Sequence, residues 1–85
     1  MTRFPFGERG LLMDAEMRVK RLVGARIRTA RKKRSMTLRQ LAHKTVLSVS
    51  LLSQIELGKS SASISTLHKI AAALGVTLAY LLDGV

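Results

Sequence analysis

Apolar residues recur along this chain at spacings of three and four, and the rhythm is broken each time by a glycine, serine or threonine. Val19, Val23, Ile27 and Ala30 form one stripe, which predicts a helix from near Ala15 to about Arg34. Asp14 is placed to cap it, and Gly24 weakens its middle. A second helix is expected over 37–44: Leu38, Leu41 and Ala42 share a face, with Arg39, Gln40, His43 and Lys44 elsewhere and Thr37 as cap. Thr45, Val46 and Leu47 make a turn. Ser48 then caps a third helix, 48–56, where Leu52 and Ile55 repeat while Val49, Ser50, Ser53 and Gln54 form a separate, small and polar face. Gly58 is its left-handed stop. A serine-rich loop leads to a fourth helix, 64–74, capped by Ser63, carrying Ile64, Leu67, Ile70, Ala71 and Leu74 and ended by Gly75. Thr77 caps a last short helix, 78–82, holding Leu78, Tyr80, Leu81 and Leu82. Strand alternation and long repeats are lacking, so the expected class is all-α with five helices. Residues 1–13, with Pro5, Gly7 and Gly10, keep no period and are expected to be a flexible arm ahead of a domain over 14–85. Arg3 and Arg9 would let such an arm reach along a nucleic acid; the bland alternative is a tail without a role, and Met13 is a second plausible start.

Charge changes the picture more than size does. Eighty-five residues make one small domain, and a net charge of +10 on it implies an anionic partner, since self-repulsion opposes compaction. The first predicted helix concentrates that charge in Arg18, Lys20, Arg21, Arg26, Arg28, Lys32, Lys33 and Arg34, part of which is read as facing phosphates. Double-stranded DNA ranks first as partner and an anionic membrane surface second. Phe4, Phe6 and Tyr80 are the only aromatics, a poor platform for stacking unpaired bases. No apolar run approaches the roughly 20 residues of a membrane span, and no secretory signal is visible, so the cytoplasm is the default.

The residues for catalysis are missing from the pattern. There is no cysteine, His43 and His68 stand alone without ligand-spaced companions, and five acidic residues offer no carboxylate pair. The serines have no positioned base, and the glycines form no phosphate loop. No enzyme activity, catalytic residue, metal or cofactor is expected.

Two short helices joined by a tight turn, the second with a small polar face, suit a helix-turn-helix reader whose backbone approaches a base-lined groove. From Val23 to Gly84 the pieces IRTARKKRSMTLRQLAHKT, SLLSQIELGKSSASISTL and KIAAALGVTLAYLL resemble the phage repressor and Cro type of helix-turn-helix domain, the XRE family. The wording SVSLLSQIE…GKSS.SISTL is most similar to regulators that place a small effector-binding cupin barrel after the reader; no barrel follows within these 85 residues. The resemblance implies a lambda-repressor-like five-helix domain whose second helix crosses the DNA backbone while the third enters the major groove. It implies base contacts from Ser48, Val49, Ser53 and Gln54, with Gln54 pairing two-pronged with adenine, Val49 meeting a thymine methyl, and Ser48 also within reach of phosphate. Arg39, Gln40, Ser50 and Lys59 would hold phosphates, and Arg31 with Glu56 would form a structural ion pair. The expected function is a sequence-specific transcriptional regulator, a repressor, binding a palindromic operator as a homodimer.

Departures from the family pattern are as informative. Val46 stands where the turn usually carries glycine, Ser35 where glycine commonly ends the first helix, Ala62 where proline commonly precedes the fourth, and Leu57 where a polar or basic residue is common. If Val46 needs positive φ, its β-branch is costly. Two readings from other classes stand beside the regulator: an antitoxin-type module that masks a protein partner, and a membrane-surface peptide built on the first helix. Leu78, Leu81 and Leu82 are candidates for a dimer interface or for the core.

Overall fold

The computed structural model describes residues 6–83, with side chains from Asp14 onward. Among them are five α-helices and no strand: α1 (Phe6–Lys33), α2 (Leu38–Thr45), α3 (Val49–Glu56), α4 (Ile64–Leu74) and α5 (Leu78–Leu82). Four of the five start as expected. The hydroxyls of Thr37, Ser48, Ser63 and Thr77 accept from the backbone N–H three residues on, at Gln40, Leu51, Thr66 and Tyr80. Thr37 and Gln40 close a capping box, the Gln40 Oε1 accepting from the Thr37 N–H at 2.8 Å.

The first helix departs from expectation. It begins at Phe6, so Asp14 lies within it and caps nothing, and the stretch 6–13 expected to be irregular continues the helix. Glu8, Arg9, Leu11, Leu12 and Met13 are good helix formers. Residues 1–5, including Arg3, lie outside the described residues, as does the side chain of Arg9.

The helix ends share one solution. In each of α1, α2, α3 and α4 a residue in the left-handed region follows the last turn: Ser35 (φ 52°), Val46 (φ 57°), Gly58 (φ 73°) and Gly75 (φ 69°). The next N–H then reaches back five residues, from Met36 to the Arg31 carbonyl, Leu47 to Ala42, Lys59 to Gln54, and Val76 to Ala71, at 2.9–3.1 Å. Three of the connections repeat a three-residue grammar: left-handed residue, apolar residue, hydroxyl cap. Ser35-Met36-Thr37, Val46-Leu47-Ser48 and Gly75-Val76-Thr77 all obey it, and Met36, Leu47 and Val76 pack on the core. At the turn between α2 and α3 the valine adopts the conformation that glycine would take.

The core is formed by Val23, Ile27 and Ala30 of α1, Leu41 and Ala42 of α2, Leu52 and Ile55 of α3, Leu67, Ile70, Ala71 and Leu74 of α4, and Leu81 of α5. α1 packs against α3, α4 and α5, and α2 against α3 and α4. Two expected stripe members fall outside. Val19 and Ile64 are exposed at the edge of a groove that Ile55, Leu67 and Leu82 also line, because neither has a helix covering it. Leu81 belongs to the core, while Leu78 and Leu82 are half-buried against it. Gly24 is more than a weak point. A Cβ there would lie 2.6 Å from the Glu56 carbonyl oxygen and closer still to that of Ile55, so its absence lets α1 cross the end of α3 backbone to backbone.

Candidate nucleic-acid interface

The placement of α3 follows from its two faces. Leu52 and Ile55 are buried and draw one side into the core, which leaves Ser50 and Gln54 exposed and Ser53 half-exposed on the other. Leu57 still donates its N–H to the Ser53 carbonyl at 3.0 Å and keeps helical φ, so it extends this outer row at positions 50, 53/54 and 57. At 50% exposure it is an apolar patch at the end of a polar face. Ser48 and Val49 are exposed at the helix start, where the Ser48 Oγ accepts from Leu51 N–H at 3.0 Å. That hydroxyl keeps its own proton free to donate.

Arg31 and Glu56 meet as expected, and the pair is nearly closed to solvent, with side-chain exposures of 11% and 5%. Arg31 Nε donates to Glu56 Oε2 at 2.7 Å and Nη2 to Oε1 at 3.0 Å, a two-pronged bridge; Nη1 donates to the Met36 carbonyl at 2.8 Å. One guanidinium thus ties the end of α1, the end of α3 and the link into α2. The Glu56 hydrogen bond raises the Arg31 pKa, outweighing the burial that lowers it. A raised folded-state value stabilises the fold at every pH below the unfolded one and is lost only above it, so the guanidinium stays charged through the working range. The bridge also removes the only carboxylate between residues 37 and 63, where Arg39, Lys44 and Lys59 carry the opposite charge. The face of α3 therefore has no unpaired carboxylate within this stretch that would repel a polyanion.

Arg39, Gln40 and Lys59 are all exposed. Gln40 has its oxygen committed to the capping box, which turns its amide N–H groups into donors available at the start of α2. Arg34, Ser35, Met36, Gln40 and Lys44 line one shallow depression there. Arg34 and Lys44 were not expected beside Gln40; the i, i+4 spacing of Gln40 and Lys44 was the available signal. Arg26 leaves the expected phosphate-facing set. It donates to the Tyr80 carbonyl at 3.5 Å, lies 3.6 Å from Asp83 and stands 5.3 Å from the Tyr80 ring centroid, a latch between α1 and α5. Thr45, buried, donates its hydroxyl to the Leu41 carbonyl at 2.8 Å. Among the described residues no group of His, Asp and Glu is placed to hold a metal, and no helix is long and apolar enough to cross a membrane.

Two short helices linked by a three-residue turn, the second exposing a polar row and locked at its end by an arginine bridge, define a helix-turn-helix unit. The chain belongs to the helix-turn-helix family HTH_3, whose pattern matches residues 27–81. It is 48% identical over 54 residues to the immunity repressor protein of Bacillus phage phi105, an alignment covering 64% of this chain and 38% of the repressor. An HTH_3 family transcriptional regulator from Vibrio cholerae superposes with a TM-score of 0.74 at 33% identity, over 78% of this chain and 37% of that one. A SinR protein/SinI protein complex gives 0.70 at 38% identity, over 73% and 61%. The chain thus spans about two fifths of the length of the phage repressor and of the Vibrio regulator. Its relatives are regulators and a repressor, and the domain is not an enzyme.

Proposed function

We propose that this protein is a sequence-specific, double-stranded-DNA-binding transcriptional repressor that inserts α3 into the major groove and occupies a palindromic operator as a homodimer. The observation that carries the reading is the outward row of exposed Ser50 and Gln54 and half-exposed Ser53, on a helix fixed at its start by Ser48 and at its end by Arg31–Glu56. Gln54 reads adenine two-pronged, Val49 meets a thymine methyl, and Ser48 and Ser53 supply adaptable hydrogen bonds. Arg39, Gln40, Ser50 and Lys59 bind phosphates, which set the register without reading sequence. A selection of binding sites from random duplexes tests sequence preference, palindromy and spacing together. On the selected site Gln54→Ala is expected to cost about 1–3 kcal/mol and relax one base position, while Lys59→Ala weakens all sequences alike. Uniform weakening by Gln54→Ala would remove the base-reading role from that residue.

The match to a reader domain within longer regulators supports a sensing or oligomerising part elsewhere in the regulator, for which a cupin barrel is our expectation, and the cytoplasm is the matching compartment. A second reading, a protein-masking module of antitoxin type that also binds its own operator, is favoured by the apolar groove at Val19, Ile64 and Leu82 and by the likeness to a regulator solved in a protein complex. A toxin-sized protein that displaces the chain from DNA would favour it.

A further inference from the structure

The 28 residues of α1 run about 42 Å at 1.5 Å per residue, twice the 23 and 20 Å of the molecule's two shorter dimensions, so the helix overhangs the body. Where it leaves is fixed. Gly24 lies against the carbonyls of Ile55 and Glu56, and the Arg21 backbone lies against Gly58. The overhang therefore starts beside the end of α3, next to Lys59, and the family pattern begins only at residue 27.

Arg18, Arg21, Ala25, Arg28 and Lys32 follow one another at steps of three and four, a single stripe along α1, and all are exposed. Arg21 and Arg28 stand three residues before and four after Gly24, so they flank the contact with α3. The ion pairs found among the described residues use Arg26 and Arg31, not these four cations. Asp14 lies in line at the outer end, and Glu16 falls on the far side of the helix. Val23, Ile27 and Ala30 of this helix are buried in the core, so among the described residues Met17 and Val19 are its exposed large apolar side chains, a narrow strip to bury in a bilayer.

We propose that the Arg18–Arg21–Arg28 stripe grips the phosphate backbone of duplex DNA beyond the base pairs that α3 reads, lengthening the footprint of the domain. The inference rests on the DNA-reading function proposed above. From Arg18 to Arg28 the stripe spans about 15 Å, roughly four base-pair rises along a duplex strand. Its cations carry no base information; they add affinity and salt dependence.

The test uses the whole 85-residue chain and two duplexes, one holding only the selected site and one extended by about five base pairs of arbitrary sequence at each end. The parent protein is expected to bind the longer duplex about tenfold more tightly, with a log–log salt slope steeper by about 2–3. The triple variant R18Q/R21Q/R28Q, shown by circular dichroism to keep its helix content, is expected to lose that gain and bind the short duplex as before. Lys69→Gln, on α4, removes a cation away from the stripe and should keep it. Equal binding of both duplexes by the parent, or equal losses on both by the variant, overturns the proposal while leaving the reader function standing. Failure of the parent to prefer any duplex sequence overturns the reader function itself. Tighter, stripe-dependent binding to vesicles of phosphatidylglycerol than to either duplex overturns both assignments in favour of a membrane surface.

Discussion

Val46 is the residue at which local preference and fold disagree most openly. A left-handed backbone costs a non-glycine residue about 1–2 kcal/mol, more readily tolerated by Ser35 than by a β-branched side chain. Its side chain is 87% exposed, so packing returns little of that cost. The turn forms because Leu47 beside it packs on the core and donates to the Ala42 carbonyl. Val46→Gly should therefore stabilise the domain by about 1 kcal/mol, read as a rise of several degrees in thermal midpoint. A lower midpoint would mean that the valine makes contacts in solution that offset its strain. Glu56 lies at the opposite extreme. Its removal in Glu56→Ala leaves Arg31 nearly buried with only the Met36 carbonyl, and should cost about 3 kcal/mol in denaturant unfolding. A loss under about 1 kcal/mol would show the bridge to be no stronger than a surface pair.

Between elements, Gly24 shows why a propensity argument needs the partner helix. On α1 alone, Gly24→Ala should stabilise by up to about 1 kcal/mol. Against the Ile55 and Glu56 carbonyls the added methyl has no room, so the expected outcome is net destabilisation, with α1 pushed off α3 and the Arg31 bridge strained. Comparing the melting of Gly24→Ala with that of Ala25→Gly, on the exposed side, separates the two effects; a stabilised Gly24→Ala would contradict the close crossing. The helix-level reading was legible because caps and stops are local chemistry. Thr37, Ser48, Ser63, Thr77, Gly58 and Gly75 announce themselves by side-chain type and position, and the core faces of α2 and α4 by spacing. What sequence could not supply came from tertiary neighbours. The early start of α1 does not directly follow a Ser, Thr, Asp or Asn in the sequence, Val19 and Ile64 have no covering helix among the described residues, and Arg26 was drawn to Tyr80 and Asp83 by the docking of α5. For the site, the polar row of α3 and the Arg31–Glu56 pair were readable, whereas the grouping of Arg34 and Lys44 with Gln40 depended on how α1 turns into α2.

For the molecule as a whole, charge is both the cost and the means of binding. A surplus of +10 on 85 residues pushes the folded chain apart at low salt, and in the proposed complex a duplex would relieve that repulsion at its phosphates. Folding and DNA binding should consequently respond to salt in opposite directions. Between 50 and 200 mM salt the affinity for the selected duplex is expected to fall by about a thousandfold or more if six or more phosphates are neutralised, at a slope of about −0.9 per phosphate. Thermal stability of the free protein should rise over the same range, because screening weakens repulsion among α1 cations while the enclosed Arg31–Glu56 bridge is little screened. The half-sites of a dimer should lie about one DNA turn apart, roughly 34 Å, so footprinting at each salt also reports whether both protomers stay bound. Affinity that holds constant across this range would separate the protein's charge from its binding. Contacts through Gln54 and its neighbours alone would then have to carry the complex.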